Sequence, residues 1–161
     1  MMQRNIDQWL DAYGVSHRHP INKLIHWICV PVIVWTVLAL LWGVSLPGLP
    51  LLNLATGLIL IALLFYWYLS PKLALGMVVY TGINVGLILW HQQALDLPLW
   101  QSALVLFVIA WIGQFIGHLL EGAKPSFFED VQFLLIGPIW LLSFLYRKAG
   151  IDYRPGQPSP H

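Results

Sequence analysis

Between Ile28 and Ser70 the chain carries no Asp, Glu, Lys or Arg. An uncharged stretch of that length cannot face water; it has to lie in protein or in lipid. Protein alone cannot hide it here, because 161 residues make one compact unit. The rest of the sequence is of the same kind. It is 58% hydrophobic and 9% charged, where an ordinary soluble domain is roughly 25% charged. Nine tryptophans suit a membrane protein with aromatic residues at its interfaces. The net charge of +1 gives no reason to expect a nucleic-acid partner. Cys29 is the single cysteine, so no internal disulfide can form, and in its apolar run it reads as a small buried hydrophobe. Met1 to Asp11 lacks a signal-peptide pattern.

Turn residues divide the apolar sequence. Gly43 to Pro50 breaks the first run. That predicts one span near residues 24–43 and a second near 50–69, each close to the roughly 20 residues a bilayer requires. Ser70-Pro71-Lys72 leads into a third run over about 73–90, and a fourth covers 99–118. The last run, Val131 to Tyr146, contains Gly137-Pro138, which predicts a break and a spanning, re-entrant or surface helical pair. Ile6, Trp9, Leu10 and Tyr13 recur at helical spacing, so residues 1–19 read as an interfacial segment with a short surface helix. Residues 150–161 are Pro-rich and read as a flexible tail. The expected fold is all-α: a single membrane domain over 1–161, a bundle of about four transmembrane helices plus a surface or re-entrant C-terminal helical segment. With four crossings, every Lys and Arg falls on one side, which the positive-inside rule makes cytoplasmic.

The most unusual polar face ends the fourth run. In Gln114-Phe115-Ile116-Gly117-His118-Leu119-Leu120-Glu121 the spacings of four and three put Gln114, His118 and Glu121 on one helical face. Gly113 and Gly117, like Gly82 and Gly86, form a pair that lets another backbone approach closely and permits self-association. His17, His19 and His26 lie on the same side of the membrane as His118. Pro20 opens a helix, so His17 and His19 occupy a bend before it and His26 its second turn. Imidazole suits Fe, Zn, Cu and Ni. Glu121 could ligate an ion, accept a ring N–H from a histidine, or sit as a helix-end charge in water. Asn22 and Gln114 are placed to support the histidines, and Lys23 and Lys124 could hold a carboxylate head group or serve as ordinary positive-inside charges. His91 ends the third run near the opposite membrane face. His161 belongs to the tail.

The two segments Tyr13…His17-Arg18-His19-Pro20-Ile21-Asn22-Lys23-Leu24-Ile25-His26…Pro31 and Trp111…Gln114-Phe115-Ile116-Gly117-His118…Glu121…Lys124-Pro125 together resemble a family of small membrane proteins. These are the 2-hydroxy fatty acid dioxygenases of fatty acid α-oxidation, one of which acts in yeast phytosphingosine breakdown. The resemblance covers nearly the whole chain in order. It selects His17 over His19, adds His26 and His118, and brings His91 back as a fourth candidate ligand. Glu121 matches the family's acid at a shorter spacing from the histidine. The resemblance implies Fe(II) held by His17, His26 and His118, with His91 as a further candidate. These three histidines and Glu121 are the expected catalytic set, and Asn22, Lys23 and Gln114 are the candidates for binding substrate. It implies a 2-hydroxy fatty acid and O2 as substrates and an acid one carbon shorter as product. The place is a bacterial inner membrane or the endoplasmic reticulum, with the site facing the cytoplasm.

Three other readings compete. A histidine-box hydroxylase needs more histidines than six, in HxxxH and HxxHH spacings that are absent. A haem bundle could use His26 and His118 as axial ligands. A non-enzymatic lipid-binding or scaffold protein would leave every histidine merely interfacial.

Overall fold

The computed structural model describes residues 4–46, 48–122 and 132–154. Among them are six helices and one two-stranded hairpin. The helices are α1 (Ile6–Gly14), α2 (Pro20–Trp42), α3 (Leu54–Leu69), α4 (Pro71–Ala94), α5 (Leu99–Glu121) and α6 (Phe133–Lys148); β1 (Ser45–Leu46) and β2 (Leu49–Asn53) join α2 to α3. Three helices, α2, α4 and α5, are long and apolar enough to cross a membrane. With α3 they leave a wide apolar exterior: Ile61, Leu64 and Trp67 on α3, Leu75 and Val79 on α4, and Val105, Ile109 and Leu119 on α5 are all exposed. In water such a surface would aggregate; in a bilayer it is the lipid contact.

The second span differs from expectation. Residues 50–53 extend as a strand paired antiparallel with Ser45–Leu46, and the helix starts only at Leu54. Asn53 fixes that start: its side chain accepts from the Thr56 backbone N–H, and Thr56 returns a bond to the Asn53 N–H. The remaining 16 residues rise about 24 Å, short of the roughly 30 Å of hydrocarbon. Gly48, at φ 80°, closes the turn in a conformation that other residues rarely adopt.

The C-terminal run also departs from its expected break. One continuous helix passes through Gly137 and Pro138. Its residues Ile136 to Leu141 are buried all round, and packing of that extent outweighs the hydrogen bond that proline removes. Gly137 is needed at its place because a Cβ there would lie 3.0 Å from the Tyr13 hydroxyl.

Helix α1 forms where predicted, opened by a capping box between Asn5 and Gln8. Its apolar face (Ile6, Trp9, Leu10, Tyr13) does not lie on the membrane. It packs on α6, with Trp9 edge-on to Phe133 at 5.6 Å and Tyr13 against Trp140 at 5.3 Å. Nor is the start of the tail frayed. Tyr153 is buried, Ser70 Oγ donates to its carbonyl at 2.6 Å, and Lys72 Nζ donates to the Asp152 carbonyl at 2.6 Å. Arg154 pairs with Asp7 at 3.1 Å. The expectations for Lys124 and His161 lie outside the described residues.

Among the described residues, helices α2 and α5 form the most extensive packing. Their crossing is built on glycine. A Cβ on Gly113 would lie 2.7 Å from Cys29 Sγ, and one on Gly117 would collide with Asn22 Oδ1. The Gly82 and Gly86 pair faces outward, with nothing within 4 Å of either Cβ position. The start of α2 and the end of α5 are thereby brought together, and with them the polar residues that each carries.

Candidate metal centre

His17 lies on the loop between α1 and α2, His26 on the second turn of α2, and His118 on the last turn of α5. All three are buried, at 1%, 1% and 4% exposure. One ring nitrogen from each falls within 4.8 Å of the others. Ring centroids are 4.2 Å apart for His17 and His26, 5.0 Å for His17 and His118, and 5.1 Å for His26 and His118.

The hydrogen bonds decide how two of these rings are protonated. His17 Nδ1 lies 2.6 Å from the Tyr13 carbonyl, and His26 Nδ1 lies 2.9 Å from the Asn22 carbonyl. A carbonyl only accepts, so each Nδ1 carries the proton. With both rings neutral, each Nε2 is then a lone pair, and the two Nε2 atoms lie 2.9 Å apart. Two acceptors at that distance repel unless a cation lies beside them. Two nitrogens bound at about 2.1 Å to one metal and at right angles would be about 3 Å apart. His118 adds a buried Nδ1 that has no partner among the described residues. Backbone carbonyls that fix the tautomer of ligating histidines are the usual outer support of a metal. The donor set therefore fits an imidazole-binding ion with open positions, such as Fe(II).

His17 is outside the candidate spans, and its pKa is pushed down from 6.5 to about 4. Burial is the main cause, opposed by the Tyr13 carbonyl. Between those values the unfolded chain takes up a proton that the folded ring refuses. The metal-free protein is expected to lose stability as pH falls from about 6.5 through about 4, and to be indifferent to this ring above that window. Thermal unfolding of metal-free protein across the window checks this; an equal loss in His17→Phe would contradict it.

The remaining predicted residues are distributed as follows. Gln114 is buried and lines a cavity of about 60 Å³ with the three histidines. Val30, Ile33, Val34, Trp111 and Phe133 supply its apolar wall. Lys23 opens instead onto a recess of about 420 Å³ on the other side of His17, shared with Arg18, Arg147 and Asp11. Asn22 is fully buried beneath the histidines. Its Nδ2 donates to the Ser16 carbonyl at 3.1 Å and to Glu121 Oε2 at 3.0 Å. Glu121 is not among the clustered ligands; its carboxylate holds the backbone of the His17 loop. His19 caps α2, accepting from the Ile21 N–H at 3.3 Å.

His91 does not join the cluster. Its Nε2 pairs with Ser102 Oγ at 2.9 Å, and its ring lies 6.1 Å from Trp35, which is nine residues, or about 14 Å, along α2 from His26. Sequence reasoning passed over Tyr13 and Trp140 as parts of the site. Tyr13 stacks on His17 at 4.2 Å and 9° besides holding its Nδ1 proton, and Trp140 packs on the same ring at 5.3 Å. The four-residue spacing from Tyr13 to His17 was a readable sign of the first. Nothing local marks the second.

No solved structure matches the chain. It is 32% identical over 143 residues to the 2-hydroxy-palmitic acid dioxygenase MPO1 of Saccharomyces cerevisiae, an alignment covering 86% of this chain and 78% of that protein. Residues 3–149 match the family described as 2-hydroxy-palmitic acid dioxygenase Mpo1-like. The match includes the loop of His17, the helix of His26 and the helix of His118, so this chain, with its three buried histidines facing one another, belongs to the Mpo1-like family.

Proposed function

We propose that the chain is an Fe(II)-dependent dioxygenase that converts 2-hydroxy fatty acids to the acid one carbon shorter. The observation that carries this reading is the pair of Nε2 atoms at 2.9 Å, each on a ring whose Nδ1 meets a backbone carbonyl, with the buried His118 beside them. A bound ferrous ion would supply the Lewis acidity and the redox chemistry with O2 that cleavage beside a carboxylate requires.

The chain's own residues do the rest. Tyr13 and Asn22 hold the Nδ1 protons of His17 and His26, so both rings present lone pairs. Gln114 offers an amide to the polar end of a substrate within the cavity. Val30, Ile33 and Val34 run deeper along α2 and give the acyl chain an apolar path, each buried CH2 contributing about 0.8 kcal/mol. Arg18, Lys23 and Arg147 make the recess behind His17 cationic, which draws an anionic acid rather than an ester toward this end of the bundle. The conversion balances on one O2 when the lost carbon leaves as carbon dioxide with one water, so no outside reductant enters.

The basic residues support a cytoplasmic site. Lys72 reaches Asp152, Arg154 reaches Asp7, and Arg18, Lys23 and Arg147 share one recess, so these five basic residues gather at one end of the bundle. Protein purified anaerobically in mild detergent is expected to hold one iron per chain. It should consume one O2 per 2-hydroxypalmitate shortened. Protein that binds no iron even after Fe(II) loading, yet is folded, would overturn the reading in favour of a lipid-binding protein.

A further inference from the structure

The three histidines come from three segments, and one side chain spans all three. Glu121 follows His118 on the last turn of α5. Its Oε1 accepts the Arg18 backbone N–H at 2.8 Å, and its Oε2 accepts the His19 N–H at 2.8 Å and Asn22 Nδ2 at 3.0 Å. Asn22 uses its second amide hydrogen on the Ser16 carbonyl. So the loop that carries His17 is held on both sides of that residue, by its N–H groups through Glu121 and by its carbonyl through Asn22. The partners are about a hundred residues apart in sequence. The carboxylate also lies at the N-terminal end of α2, where the helix dipole favours negative charge. A hydrogen bond with one charged partner is stronger than one between neutral groups, and here three converge on one carboxylate.

We infer that Glu121 is a positioning residue: a latch that clamps the His17 loop and the start of α2 to the end of α5 and so sets the spacing of the three histidines. It does this without touching the metal. The inference rests on the proposed metal site but reaches beyond it, because the latch also protects an exposed backbone. Arg18 is exposed, and the bond after it is a trypsin site whose N–H groups on either side are both tied to Glu121.

The test compares wild type, Glu121→Ala and Glu121→Gln as full-length protein in detergent. It measures Co(II) affinity by the visible spectrum and the rate of trypsin cleavage after Arg18 in metal-free protein. Partners that orient ligands are typically worth 10–100-fold in metal affinity. Glu121→Ala should bind Co(II) at least about tenfold more weakly and be cut after Arg18 distinctly faster, while the ligand-field bands of saturated protein keep their positions. Glu121→Gln keeps one accepting oxygen and should fall between on both measures. Lost affinity with shifted bands and unchanged cleavage would make Glu121 a ligand and overturn the latch. Faster cleavage with unchanged affinity would show that the loop does not set the site, and would overturn it too. If Glu121→Ala does not fold, Glu121→Gln decides alone: wild-type behaviour on both measures refutes the inference. Failure of the iron reading shows separately, as wild type that binds no metal but is still protected after Arg18.

Discussion

His26→Ala is expected to abolish iron binding and acid shortening together. His26 is one of the three proposed ligands. Its ring is next to both others, its Nδ1 is held within its own helix by the Asn22 carbonyl, and its Nε2 faces His17 at 2.9 Å. Loss of an outer support typically costs 10–100-fold in metal affinity, so loss of a ligand should cost at least about a hundredfold. The helices should survive, because α2 and α5 are packed along their whole contact and His26 occupies one end of it. His91→Ala is the matched control: its ring lies beside Trp35, about 14 Å along α2 from the site, and the variant should keep its iron. Iron content and far-UV circular dichroism on both proteins check the pair. Equal iron in His26→Ala and wild type would remove the metal centre, and equal loss in His91→Ala would show that the effect is one of folding.

Gly117→Ala is expected to destabilise the bundle by about 1–3 kcal/mol, the usual cost of overpacking a filled interior. The added methyl would strike Asn22 Oδ1 and lie 3.5 Å from Ile25 Cδ1. Asn22 cannot retreat, because its amide is tied to Ser16 and Glu121. The two helices must therefore part where His26 and His118 meet, and iron affinity should fall with stability. Gly82→Ala makes the opposite prediction. Nothing lies within 4 Å of that methyl, and replacing a mid-helix glycine is worth about 0.5–1 kcal/mol. Unfolding of both variants in mixed detergent micelles checks the signs. Equal behaviour of the two would show that the α2–α5 crossing does not depend on close approach.

Most of the helices were legible in the sequence because apolar runs bounded by turn residues suit little else in a bilayer. The loop carrying His17 and the helix carrying His26 were legible from Pro20. The hairpin at residues 45–53 was not, because a leucine-rich strand and a leucine-rich helix have the same hydropathy. The start of α3 depended instead on the side chain of Asn53. The continuity of α6 was hidden for a different reason. A local rule about Gly-Pro was outweighed by packing against α1 and α2, which only the assembled bundle reveals. Among the site residues, the face formed by Gln114, His118 and Glu121 was readable from helical spacing. What Glu121 grips was not, since its partners are backbone N–H groups about a hundred residues away and no side-chain pattern records them. The cationic recess was half legible: Lys23 was named, while Arg147 arrives from the far end of the chain.

The division of the three histidines between the start and the end of α2–α5 also has a consequence in time. A ribosome adding about 5–20 residues per second delivers His17 and His26 some 5–18 s before His118. During that interval the nascent chain displays two imidazoles without the third. Two imidazoles alone capture whichever divalent ion binds most tightly, and in the usual order that is copper. For the proposed iron centre, discrimination in favour of iron would begin only once α5 has inserted and docked. If the three histidines hold a metal as proposed, the order in which the helices enter the membrane is part of what determines which one.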